Sequence, residues 1–269
     1  MRRVLRHLKF RGAAEGPLAS LGLPEQVAQD LTSKFGHFGD LLDIYVNNTG
    51  AGVHKWHHYL PIYERYFSPW RNRPLRFLEI GVSKGGSLQM WRRYFGPDAM
   101  IFGIDIDPSC AQFDGQAGKV RIGSQADPDF LAAVVAEMGG VDVVLDDGSH
   151  EMQHISASLA ILFPLLSFGG TYMIEDLHTA YWKNYGGGAV APSNFFNTVR
   201  SMIDDMHVWY HENGVAHEVT ASSVTGLHVH DSIVVLDKAQ VYRPVHSFVG
   251  AADSAMDEAG DPQKESETS

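Results

Sequence analysis

An α/β fold built on a mostly parallel sheet is the architecture this sequence predicts, and three observations predict it. Short β-branched runs alternate with stretches of helical periodicity from residue 75 onward. Two of these runs end in acids: residues 141–145 lead into Asp146-Asp147-Gly148-Ser149-His150, and residues 171–174 lead into Glu175-Asp176. A glycine-rich turn, Gly81 to Ser87, lies between a strand signal and a helix signal. Buried parallel strands read as near-continuous apolar runs, and their carboxyl ends are where open α/β sheets bind ligands.

Taken in order, residues 23–70 carry apolar residues at helical spacing. One segment runs through Leu31, Phe35, Phe38, Leu41, Leu42 and Tyr45, and a second lies around Tyr59, Ile62, Tyr63 and Tyr66. Pro69 and Pro74 close this helical cap. Strands are then expected at 75–80, 100–105, 120–122, 141–145 and 171–174. Helices are expected at 87–94, 127–137 and 150–166. Such alternation implies right-handed crossovers and a parallel sheet. After a helical stretch at 194–210, residues 218–221 and 226–236 show alternating β-branched runs, with Asp231-Ser232 as a turn. A hairpin there adds antiparallel strand to the sheet. The expected organisation is a basic arm (1–22), a helical cap (23–70), an α/β domain (71–249) and a disordered acidic tail (250–269).

Bulk properties narrow the function classes. The 269 residues carry a formal charge of −11, which argues against a nucleic-acid partner. The single cysteine, Cys110, excludes an internal disulfide and a thiolate zinc site, and suits a reducing cytoplasm. No stretch suits a membrane span, since the best apolar run, 159–166, is short and broken by Pro164. The first eleven residues are basic without an apolar core, so no secretory signal is expected, and a frayed or oligomer-packing arm is the plainer reading.

The chemistry concentrates in three places. Asp146, Asp147, Glu175, Asp176 and His150 would converge at one sheet edge, where carboxylates repel one another unless a cation or a bound amine sits among them. The turn reads E-x-G-x-x-x-G-G-S from Glu79 through Gly81 to Ser87, which is not the glycine spacing of a dinucleotide site. It suits a ligand bearing an amine and a cationic sulfur. Asp105 ends the next strand, where a carboxylate can hold a ribose diol.

The runs 78–81, 85–88, 91–95, 103–106, 123–125, 146–150 and 174–177 together resemble one group of class I S-adenosylmethionine-dependent methyltransferases. This group comprises the metal-dependent sugar O-methyltransferases of the macrolide deoxysugar (mycinamicin) type, together with actinobacterial enzymes acting on mannosides and rhamnosides. The resemblance covers roughly residues 40 to 240. It implies a Rossmann-like, seven-stranded fold, with S-adenosylmethionine and Mg²⁺ as cofactors. It makes Asp147, Glu175 and Asp176 the metal ligands and His150 the catalytic base. Glu79, Gly81, Ser87, Asp105, Ser124, Gln125 and Asp146 would line the cofactor pocket. The acceptor would be a small molecule or oligosaccharide, and the enzyme a cytoplasmic homo-oligomer. A catechol-type enzyme, a cephalosporin-hydroxylase-like enzyme and a non-catalytic binding partner of a glycosyltransferase are the alternatives.

For methyl transfer, a hard cation held by oxygen ligands can chelate a sugar diol, and a neutral histidine can take the proton. Glu175 and Asp176 are adjacent, so both reach one ion only if the backbone turns there. His178 rivals His150 as the base. Lys55 and His58, in the cluster 54–59, are candidates for meeting substrate, the plainer view being helix surface. Tyr181 and Trp182 open a glycine-rich loop whose aromatic rings suit sugar faces. His228 and His230 are read as structural.

Overall fold

The computed structural model describes residues 20–247 and 249–250; the expected arm and tail lie, but for their inner ends, outside these residues. Seven strands form one sheet: β1 (Leu75–Ile80), β2 (Ala99–Asp105), β3 (Lys119–Ile122), β4 (Val141–Asp146), β5 (Leu166–Ile174), β6 (Val224–His230) and β7 (Ile233–Lys238). Their order is β3-β2-β1-β4-β5-β7-β6, with β1 to β5 mutually parallel and β7 antiparallel to both neighbours. Successive strands are laid down outward in opposite directions on the two sides of the β1/β4 pair. The crevice at the carboxyl ends of that pair is the position at which doubly wound sheets bind ligands.

Local chemistry accounts for the helices around the sheet. Before α5 (Pro128–Met138), the Asp127 carboxylate accepts from the backbone N–H of Asp129 and Phe130, with Pro128 in the first turn and Gly139 left-handed at the end. Ahead of α4 (Gly86–Phe95), Gly86 abuts the backbone of Ala51 and Gly52, and an added Cβ would meet Gly52 O at 2.3 Å. The cap chain therefore lies directly on the glycine turn. Helix α6 (Met152–Leu165) takes Pro164 in its last turn and passes straight into β5.

The first cap segment is two helices, α1 (Pro24–Phe35) and α2 (Asp40–Val46), because Gly36 and Gly39 take positive φ between them. A third cap helix, α3 (Tyr59–Phe67), leans on α4 and the sheet through aromatic rings. Phe67 contacts Trp91 at 5.4 Å and Phe77 at 5.9 Å between centroids, and Tyr63 meets Trp91 edge-on at 5.2 Å. Helix α7 (Phe195–Met206) follows the 177–185 loop. Two expectations are corrected. Residues 218–221 are helical, within α8 (Glu218–Ser223), rather than strand. Ser222 and Ser223 hydroxyls bond back to the carbonyls of Glu218 and Val219, and Asp205 receives the N–H groups of Ala216 and His217 just ahead. The second correction is that His150 does not begin α6; it precedes it in a left-handed conformation, φ 57°.

The hairpin reading holds, with Ser232 at φ 61° between β6 and β7. His228 and His230 point at Asp237 (2.7 Å) and the Tyr66 hydroxyl (3.0 Å). No helix among the described residues is long and apolar enough to cross a membrane.

The aromatic wedge makes the cap part of the folded core. Phe67→Ala is expected to cost about 3–5 kcal/mol of unfolding free energy in denaturant titrations. A loss below about 1 kcal/mol would show that the cap packs independently of the sheet.

Candidate active site

A cleft of about 620 Å³ opens where β1, β2, β4 and β5 end. Its floor is the glycine turn. Gly81 has φ 98°, and a Cβ there would lie 2.1 Å from Asp147 O, so the two crossover loops touch at this residue. Asp105 holds the turn in shape: one carboxylate oxygen accepts from Val82 N and Ser83 N, both at 2.9 Å, and the other from Asp107 N. Ser87, Ser124 and Gln125 complete this side of the cleft.

Glu79 and Asp146 do not line the cleft, although the sequence reading placed them at the cofactor. Glu79 is fully buried and accepts from Ser87 Oγ (2.9 Å) and Trp91 Nε1 (3.0 Å). Asp146 is also buried, bonded by Ser158 Oγ and by Gln125 Nε2 at 3.2 Å. Gln125 in turn accepts from Ser149 N at 2.8 Å. Adjacent residues leaving a strand face opposite ways, so Asp146 and Asp147 could not both enter one cleft. Burial pushes Glu79 up to about 7 and Asp146 up to about 6.

Asp147, His150 and Asp176 come together at the far end. One ligand atom from each lies within 4.8 Å of the others; His150 Nε2 is 3.8 Å from Asp147 Oδ1 and 3.6 Å from Asp176 Oδ2. Asp176 leaves β5 with φ 58°, the backbone turn that adjacent acids required. The carboxylate oxygens of Asp147 and Asp176, partly exposed to the cleft, fit a hard divalent cation, with the His150 imidazole beside them. Glu175 faces the cap instead. Its Oε1 takes Lys55 Nζ at 2.7 Å, and Oε2 takes the Tyr63 hydroxyl. Lys55 also reaches Asp147 Oδ2 at 2.5 Å, and Tyr59 donates to Asp176 Oδ1 at 2.7 Å.

Burial, with Asp147's charge beside it, pushes Glu175 up to about 8, and burial pushes Asp147 up to about 6. Burial works to lower the Lys55 ammonium, but the Asp147, Glu175 and Glu79 carboxylates outweigh it and hold it above the ordinary lysine range. Of the candidates for substrate contact, Lys55 therefore lies against the acids. His178, Trp182 and Trp56 form an aromatic chain beside the mouth, with centroids 4.8 and 5.7 Å apart. His58 meets Tyr59 edge-on at 4.6 Å, and Tyr181 is exposed beside Phe196. Sequence reasoning gave Tyr59 and Tyr63 no role at the site, although Lys55, Tyr59 and Tyr63 recur every four residues, the spacing of one helical stripe.

No family model matches the chain. Curated relatives do. It is 39% identical over 214 residues to 8-demethyl-8-(2-methoxy-alpha-L-rhamnosyl)-tetracenomycin-C 3'-O-methyltransferase of Streptomyces olivaceus, covering 75% of this chain and 54% of that one. It is 36% identical over 205 residues to L-olivosyl-oleandolide 3-O-methyltransferase of Streptomyces antibioticus, covering 70% and 50%. This chain is a homologue of deoxysugar O-methyltransferases. Among solved structures, the MycE methyltransferase of the mycinamycin pathway with Mg and SAH superposes with a TM-score of 0.68 at 31% identity, over 76% of this chain and 55% of that one. The fold is thus the Rossmann-like methyltransferase fold. The chain spans about half the length of the curated relatives it matches.

The buried Glu79 has a measurable consequence. Its folded-state pKa lies above the unfolded carboxyl value, so its contribution is present below about pH 4.5 and is lost as pH rises through about 7. Glu79→Gln should abolish about 1–3 kcal/mol of this pH-dependent loss, read as melting temperature at about pH 5 and about pH 8. Parallel wild-type and variant profiles would refute it.

Proposed function

We propose that this protein transfers the methyl group of S-adenosylmethionine to a hydroxyl of a deoxysugar or rhamnoside on a small glycosylated molecule, with Mg²⁺ as the metal. The observation that carries this reading is that His150, Asp147 and Asp176 share one cleft with the glycine turn. The relatives support it: mycinamicin VI 2''-O-methyltransferase of Micromonospora griseorubida is 33% identical, and MycE has been solved with Mg, SAH and mycinamycin VI.

S-adenosylmethionine would supply the electrophilic methyl carbon, and Mg²⁺, held by Asp147 and Asp176 with Glu175 as third ligand, would acidify and align the sugar diol. The chain's own part follows from its geometry. The backbone of the glycine turn, braced by Asp105, leaves room for the cofactor's polar end. Gln125, steadied by Asp146, and Ser124 line the cleft beside the turn and would hold the cofactor's nucleoside. His150 Nε2 would take the proton of the acceptor hydroxyl, with the bound cofactor supplying the methyl carbon and its sulfur as leaving group. The imidazolium so formed is stabilised by Asp147 and Asp176, 3.8 and 3.6 Å away. His178, one residue beyond Leu177 and edge-on to Trp182, lies where an acceptor's sugar face would pass; its pKa is lowered by burial. The buried free thiol of Cys110 fits a cytoplasmic setting, and a homo-oligomer completes the proposal.

Methyl transfer from labelled cofactor to rhamnosyl and deoxysugar acceptors tests the assignment. His150→Ala should lower kcat about 10²–10⁴-fold with little change in cofactor binding, whereas His178→Ala should act mainly on acceptor KM. Chelator should abolish turnover and Mg²⁺ restore it. Full activity in chelator, or a kcat loss confined to His178→Ala, would contradict the assignment.

A further inference from the structure

Lys55 is the feature that the proposed chemistry leaves unexplained. Its side chain is 2% exposed, and its ammonium lies between Asp147 Oδ2 (2.5 Å) and Glu175 Oε1 (2.7 Å). It arrives from the cap, on the segment that rests on the glycine turn at Gly86. The carboxylates it joins directly follow the ends of β4 and β5, more than ninety residues away in the chain. With Tyr63 on Oε2, both oxygens of Glu175 are engaged by the cap, while Asp147 Oδ1 and Asp176 Oδ2 face His150. The lysine thus divides the three acids into an engaged half and an open half. Glu175 can become a metal ligand only if its contact with Lys55 breaks. A dication bound to the open half would sit close to a buried ammonium, and the two like charges would repel strongly with little water to screen them.

We propose that Lys55 is a resident cation of the acidic cluster, a positioning residue that opposes divalent-ion binding and leaves Glu175 when the ion enters. In the metal-free protein it offsets the repulsion among Asp147, Glu175 and Asp176; on metal binding it hands these carboxylates over. The inference rests on the metal reading above but concerns a different residue and a different observable. A purely structural ion pair would preorganise the carboxylates, and removing it would weaken metal binding. The proposed role predicts the opposite sign.

The test is Mn²⁺ binding, followed by electron paramagnetic resonance without cofactor or acceptor, in wild type, Lys55→Met and Lys55→Arg. Lys55→Met should bind Mn²⁺ at least about tenfold more tightly than wild type, and Lys55→Arg no more tightly. Equal or weaker binding by a folded Lys55→Met overturns the proposal. Binding by Lys55→Met alone supports it; no binding by either chain at millimolar Mn²⁺ overturns the metal reading and this inference together. Should circular dichroism show Lys55→Met unfolded, the wild-type chain decides. The lysine ¹⁵Nζ signal that is lost in Lys55→Arg should shift or disappear as Mg²⁺ is added. A signal unchanged at saturation counts against the proposal.

Discussion

The constraint on which this structure turns is the mutual repulsion of carboxylates brought to one end of a parallel sheet. Strands β1, β2, β4 and β5 all deliver an acid there, at Glu79, Asp105, Asp146–Asp147 and Glu175–Asp176. Each is answered differently. Asp105 is spent on backbone N–H groups, Asp146 on buried hydroxyl and amide donors, and Glu79 on Trp91 and Ser87. Asp147, Glu175 and Asp176 have no such backbone solution and depend on a cation, on the cap, or on both.

That dependence explains the cap's place. Lys55, Tyr59 and Tyr63 descend on the acids in one stripe, each meeting a carboxylate from β4 or β5. Lys55 comes from the loop just before α3, and α3 itself is anchored by rings, with Phe67 and Tyr63 against Trp91, and Trp91 bonded to Glu79. Hydrophobic packing thus fixes the height of the cap above the sheet, and the polar stripe uses that height to reach the site. A change in either reaches the other through Trp91.

Much of this was legible in the sequence where the information is local. Short apolar, β-branched runs ending in acids located β4 and β5, Asp231-Ser232 located the hairpin, and the adjacency of Glu175 and Asp176 required a turn that Asp176 makes at φ 58°. What escaped depends on contacts distant in the chain or on orientation. Residues 218–221 alternate like a strand yet form the first part of α8, where the Ser222 and Ser223 hydroxyls bond back to the carbonyls of Glu218 and Val219. Asp146 stands beside Asp147 in sequence, but the alternation of the strand turns it toward Ser158. Lys55 read as a surface or substrate residue because nothing nearby in sequence reveals the acids that bury it.

The central claim is that Asp147 and Asp176 present a cation site to the cleft shared with the glycine turn. Crystals soaked in Mn²⁺ and measured at its absorption edge test this directly. A single anomalous peak about 2.0–2.3 Å from oxygens of both residues is the predicted result. An anomalous map with no peak there, or with the ion held elsewhere in the cleft, would contradict it.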